Sequence, residues 1–337
     1  MLLRAGRRGR IMEDFKIDEF SEKVRTLYDM FICSSSFEER CLPIARKVSE
    51  YKLASEALIF ENMDSAEHVE KNCGILQELF SGYYDKVEVY LTDPIKSADN
   101  ISEEFRKKWD RESSAEVLVD ITTFTHEILL MVLAAMKRDY PNLKVSCCYI
   151  NASEYAWDEP DQQKKWLSRG LRNEVRTILG YAGNMVPSKK THLIVIVGYE
   201  YERAVQIIES MEADAISLGY GISSDAVTDK NKGANEQFAR LIRKVTAYYD
   251  DIPDFIVPCN DPYKLRDTLL DKIEEIGNDY NIVVIPMNNK ISTVGVALAC
   301  QKKPDIQLCY APARVYNYQY YSRAGKKCYL FSLAKGE

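Results

Sequence analysis

Apolar and polar positions change period repeatedly along this chain, and the changes come in a regular order. Residues 30–33 form a short apolar run that ends in a serine triplet, the chemistry of a strand running into a loop. A helix-period stretch follows at about 37–52, then a strand at 57–60, a helix at 66–81 and a strand at 87–91. Asp93-Pro94 marks a turn, a charged helix reaches about residue 111, and the strongest strand of this half is 116–120. A helix at about 125–138 leads to a last strand at 143–150. Strands that alternate with helices at this spacing predict a parallel sheet covered on both faces. The lead-in at 12–28 reads as helical.

The second half repeats that order. Residues 193–197 are a continuous aliphatic strand, and a helix runs through 211. A strand at 215–218, a helix at 235–249 and a strand at 255–257 follow. Asp261-Pro262 is a second turn, with a helix at 263–276, a strand at 281–285, a helix at about 291–302 and a strand at 306–310. Sliding the chain against itself by 163 residues lays Glu39-Arg40 on Glu202-Arg203. The same shift lays Ile128 on Ile291, Ala134 on Ala297, Pro141 on Pro304 and Tyr155 on Tyr318. One shift that serves both ends is the signature of an internal repeat. The expected fold class is α/β: two tandem Rossmann-like domains with parallel sheets, related by internal duplication. The expected units are a helical extension at 1–28, domain one at 29–157, a linker at 158–191 and domain two at 192–333. Within the linker, residues 166–181 read as a helix docking the two halves.

Composition narrows the function. A chain of 337 residues with 46% apolar content can bury two cores. A net charge of -6 argues against a dedicated nucleic-acid surface, so direct nucleic-acid binding is not expected. No apolar run approaches the roughly 20 residues of a membrane span. The nine cysteines are odd in number and lack any C-x-x-C, the usage of reduced, buried thiols in a cytoplasmic protein. With only three histidines, no metal site is expected. No cofactor is expected either, because neither half carries G-x-G-x-x-G or a P-loop. Residues 1–10 hold four arginines but stop at the acids from Glu13, which reads as a disordered or misassigned start rather than a transit peptide.

In open parallel sheets, ligands bind at the carboxyl ends of the strands, where strand order reverses. That geometry singles out the loops at 34–40, 120–126, 198–203 and 286–293. Ser35 and Ser36 sit ahead of a helix N-terminus, as an anion cradle or as a cap in which Ser36 and Glu39 make a capping box. Thr122 and Thr123 offer hydroxyls or caps. Asp120 ends a strand, where an acid must be solvated, paired or used. Arg40 and Arg203 either brace a carboxylate in the adjacent loop or clamp an anionic ligand. Lys290 is the third cation of these loops, beside Asn288 and Asn289. In a competing enzyme reading, Glu39 or Glu202 is the acid, base or nucleophile of a hydrolase or transferase of N-glycosidase type. A triad of Ser36, His126 and Asp120 has no G-x-S-x-G elbow behind it. Tyr310, Tyr316, Tyr318, Tyr320 and Tyr321 interleave with Arg314 and Arg323. Their alternation fits a final strand or extended arm better than base stacking.

VLVDITTF (117–124) and VVIPMNNKISTV (283–294) resemble the fourth-strand motif of the CRISPR-associated Rossmann-fold (CARF) family and its fused paired relatives, called SAVED. SSSFEER and VGYEYER occupy that family's first-strand ligand position. The resemblance implies a sensor or regulatory module of prokaryotic antiviral defence that binds a nucleotide or nucleotide-like messenger between its halves. It also implies a separate effector protein as partner, since the two halves use almost the whole chain.

Overall fold

Aliphatic runs with both faces covered become the central strands. The computed structural model describes residues 12–172, 174–222, 233–251 and 253–333. Its first half holds β1 (Glu13–Lys16), β2 (Tyr28–Ser34), β3 (Ala54–Asn62), β4 (Tyr84–Val89), β5 (Glu116–Asp120) and β6 (Lys144–Tyr155). The helices there are α1 (Phe20–Lys23), α2 (Pro43–Glu50), α3 (Ala66–Leu79), α4 (Pro94–Lys108) and α5 (His126–Asp139). Two short strands follow, β7 (Ser168–Leu171) and β8 (Arg176–Thr177). The second half holds β9 (Lys190–Ile196), β10 (Ala215–Tyr220), β11 (Asp250–Asp251), β12 (Phe255–Ile256), β13 (Tyr280–Pro286) and β14 (Gln307–Tyr310). Its helices are α6 (Tyr201–Met211), α7 (Ala234–Val245), α8 (Pro262–Ile276) and α9 (Lys290–Lys302). The described chain closes with β15 (Ala313–Tyr316) and β16 (Ser322–Ser332).

In the first sheet β4, β3, β2, β5 and β6 lie side by side in that order, all parallel. In the second, β10, β9, β13 and β14 do the same, with β11 and β12 both beside β10. Each sheet therefore puts its half's first strand in the middle, between the second and the fourth. This is a Rossmann-like α/β protein. Duplication remains the reading of the sequence, and the common strand order is what the fold adds to it.

Alternation along a strand sends neighbouring side chains to opposite faces. Met30 and Ile32 enter one apolar core while Phe31 and Cys33 enter another. Ile194 and Ile196 enter that same first core from the second sheet, while Leu193 and Val195 face a third. The shared core lies between the two sheets, and α5 and α9 run through it. Ten residues of α5 are buried, and so are ten of α9, which is why both helices are apolar around most of their circumference.

Three expectations change. The lead-in is a strand, a 3-10 turn and one turn of helix, because residues 13–16 pair antiparallel with β16. The expected linker helix is β7 and β8, which pair with β15 and β14. Gly170 and Gly180, at φ 65° and 93°, break any helix there. Finally, β16 pairs antiparallel with β6, so the expected unit at 192–333 gives its last strand to the first sheet. The tyrosine tract splits among β14, β15 and the connection into β16.

Candidate ligand-binding site

Both sheets aim the carboxyl ends of their central strands at one crevice. α5 and α9 begin just beyond β5 and β13, at His126 and Lys290, so two helix N-termini with positive dipole ends open on the same space. Thr125 caps α5 by accepting from Ile128 N at 3.3 Å, and Asn289 caps α9 by accepting from Ser292 N at 2.9 Å. Glycine is required at 198, where a Cβ would stand 2.0 Å from the Met287 carbonyl oxygen of the neighbouring loop. The crevice holds adjoining chambers of ≈ 100 Å³ and ≈ 80 Å³. Glu38, His126, Glu200, Lys290 and Tyr321 line both.

Each half presents a glutamate held by an arginine and a serine. Arg40 Nε and Nη2 donate to Glu38 Oε2 at 3.0 and 2.7 Å, and Ser322 of β16 donates to the same oxygen. In the second half Arg203 Nη2 donates to Glu200 Oε2, and Ser168 of β7 donates to Oε1. Arg203 Nη1 reaches the Ala311 carbonyl at 2.7 Å, while its Nε has no partner among the described residues. All four charged side chains are less than a tenth exposed.

Lys290 differs from both arginines. It is half-buried, lines both chambers, and makes no hydrogen bond or ion pair among the described residues. Burial pushes its ammonium down to about 8, with Arg40 and Arg203 pressing the same way and Glu38 and Glu200 against. Three cations against two carboxylates leave the crevice one positive charge in excess.

His126 faces it from the other helix. Burial, reinforced by Lys290 and Arg203, holds its pKa well below the usual imidazole range, so the ring is neutral. Nδ1 lies 2.6 Å from Thr293 Oγ1, across the boundary between the halves. Thr293 Oγ1 also lies 3.1 Å from the Asn289 carbonyl, so its one hydroxyl hydrogen has two acceptors within reach and the imidazole tautomer follows from which of them takes it. Nε2 has no partner among the described residues.

Nine of the ten expected ligand-binding residues line the chambers. Most are already spent: Ser35 Oγ donates to the Phe60 carbonyl at 3.1 Å, and Thr123 Oγ1 to that of Ser34 at 2.8 Å. Asn288 and Asn289 bond the carbonyls of Val197 and Cys259. Thr122 Oγ1 donates to Asp120 and accepts from Ile150 N at 3.0 Å. Asp120 itself lies behind Thr122, 2% exposed and outside the lining, its Oδ2 without a partner among the described residues. Burial pushes its carboxyl up to about 7, against the hydrogen bonds from Thr122 and the charge of Arg40.

The expected catalytic glutamates point elsewhere. Glu39 and Glu202 are exposed and line neither chamber. A helix from residue 37 would have put Glu39 on its first turn, but α2 starts only at Pro43, and Glu38 stays extended at φ -76°, ψ 126°. Ser36 accepts from Glu38 N at 3.2 Å, a local turn in place of the expected capping box. In α6, neighbours diverge by about 100°, so burying Arg203 turns Glu202 outward. The site's carboxylates are Glu38 and Glu200, which sequence reasoning passed over although both stand in the quoted loops. Tyr149, Tyr155, Tyr199 and Tyr321 were missed as lining as well, and only the fold brings them together.

Among the described residues no group of three His, Cys, Asp or Glu is placed to hold a metal. All nine cysteines lie among the described residues, are buried and form no disulfide there. No helix among the described residues is long and apolar enough to cross a membrane.

No family model matches the chain, and no curated protein matches it. Among solved structures, it is distantly similar to a functionally unknown protein, PA1789 from Pseudomonas aeruginosa PAO1, at 8% identity and TM-score 0.24, over 84% of this chain and 92% of that one. It is also distantly similar to PlmKR1, a ketoreductase from the first module of phoslactomycin biosynthesis in Streptomyces sp. HK803. That match has 11% identity and TM-score 0.26, over 84% of this chain and 60% of the other. Likeness at this level carries no argument about function.

Proposed function

We propose that the protein is a regulatory sensor that binds a nucleotide or nucleotide-like anion between its two halves and acts through a separate effector protein. The observation that carries this reading is Lys290, an ammonium without a partner among the described residues, at the meeting of two helix N-termini. An anion there would balance the excess positive charge. Tyr155 and Tyr199, which stack on each other with ring centroids 4.8 Å apart, line the same space with Tyr321, and rings of this kind are what a base stacks on. The setting this reading takes from the CARF and SAVED resemblance is antiviral defence. The glycosidase alternative loses its support with Glu39 and Glu202 outside the crevice.

The test is calorimetric titration of AMP, ATP and cyclic diadenylate into the protein and into Lys290→Ala, with chromatography of the mixtures for turnover. At least one nucleotide should bind intact, and the variant should lose roughly 1.5 to 3 kcal/mol, the scale of a hydrogen bond to a charged group. Binding unchanged by Lys290→Ala would overturn the reading.

A further inference from the structure

We infer that Lys290 is a carbonyl-reactive amine, and that the crevice takes a small anionic aldehyde or 2-oxo acid which Lys290 holds as an imine. The inference uses the same cavity as the sensor reading but goes beyond it, because an imine needs a carbonyl and not a nucleobase.

Four features of the site point this way. Arg40 and Arg203 are tied to Glu38 and Glu200, whereas Lys290 is bound to nothing among the described residues and opens on both chambers. Burial, with Arg40 and Arg203 pressing the same way, disfavours a charge on its nitrogen, so about a tenth is free amine at pH 7. His126 lines both chambers as a neutral imidazole whose Nε2 has no partner among the described residues, so the ring is placed to pass a proton from the amine to the carbonyl oxygen. The N-terminal ends of α5 and α9, which both open on the crevice, draw in a ligand that carries a carboxylate or phosphate.

The step balances without a further reactant. The Nζ lone pair attacks the carbonyl carbon and a C–N bond forms, while the C=O π electrons become a hydroxyl that takes up the proton relayed through His126. That hydroxyl then leaves as water with a second proton from nitrogen, and C=N remains. Nothing is oxidised or reduced.

The test treats the full chain with pyridoxal 5′-phosphate, reduces the mixture with sodium borohydride, and locates the secondary amine by peptide mass spectrometry. Pyridoxine 5′-phosphate, which has the phosphate but an alcohol in place of the aldehyde, is the control. The adduct should favour Lys290 by at least about tenfold over surface lysines, because its larger deprotonated fraction outweighs its restricted access and lower basicity. It should grow as pH rises toward about 8, shrink when glyoxylate competes, and vanish in Lys290→Arg, which keeps the cation but forms no imine. Adducts spread evenly over the lysines of the unmutated protein would overturn the inference, whether or not the variant folds. AMP titration of the same samples separates the two readings. A selective adduct without nucleotide binding sinks only the sensor, and nucleotide binding with unselective labelling sinks only the imine.

Discussion

Arg40 and Arg203 stand at matching places after the first central strand of each half, and each is spent on holding a glutamate rather than left to grip a ligand. Removing one partner of a buried pair strands the other charge, so Arg40→Ala should cost about 3 to 5 kcal/mol in urea unfolding. Replacing both, as in Glu38→Gln with Arg40→Met, should recover most of that loss. A single substitution that leaves stability untouched would show that Arg40 is a clamp and not a brace. Lys290 carries a different expectation, set by its depressed pKa of about 8. An anion favours the ammonium, so affinity should fall as pH rises through about 8, and Lys290→Arg should flatten that profile. Titrations on either side of that pH check it. Asp120 works in the opposite sense. Its folded pKa of about 7 lies above the value of 3.8 for an unfolded carboxyl. Its contribution to stability is therefore complete below 3.8 and is lost as pH rises through about 7. Asp120→Asn should remove that slope from a series of melting curves, and an unchanged slope would place the titrating group elsewhere.

Among the elements, β16 does most to hold the first half together. It covers β6, supplies Ser322 to Glu38, and bulges around Gly325, where an added Cβ would stand 2.0 Å from Asn151 Oδ1. That oxygen already accepts from Lys327 N at 2.9 Å and has little room to give. Gly325→Ala should therefore destabilise by roughly 1 to 3 kcal/mol, the usual cost of overpacking. Denaturant midpoints would read it. How well each element could be read from the sequence follows from where its partners lie. β5 and α5 declare themselves locally, through an unbroken aliphatic run and then buried residues around most of a helix. β1, β7 and β8 exist only because distant strands pair with them, and no local period records such a partner. The loops of the site were legible as loops, because strand order places them. Which glutamate faces inward was not, since that turned on α2 starting at Pro43 instead of near residue 37.

At the scale of the whole molecule, two sheets share one core, and that core draws side chains from both halves. Arg176 of β8 fastens the boundary further, gripping Glu127 of α5 through Nε and Nη2 at 2.8 and 2.7 Å. Calorimetric melting should then show one cooperative transition for the described body, with calorimetric and van't Hoff enthalpies in agreement. Two resolved transitions would mean that the halves are autonomous. The return of β16 to the first sheet has a consequence for synthesis on the ribosome. Residues 28–155 emerge early and can pair among themselves, but the outer edge of β6 stays bare until residues 322–332 have been made. A bare edge invites pairing with other chains. The nascent protein must therefore carry an exposed, adhesive strand through the translation of its entire second half, and chaperone demand should peak in that interval.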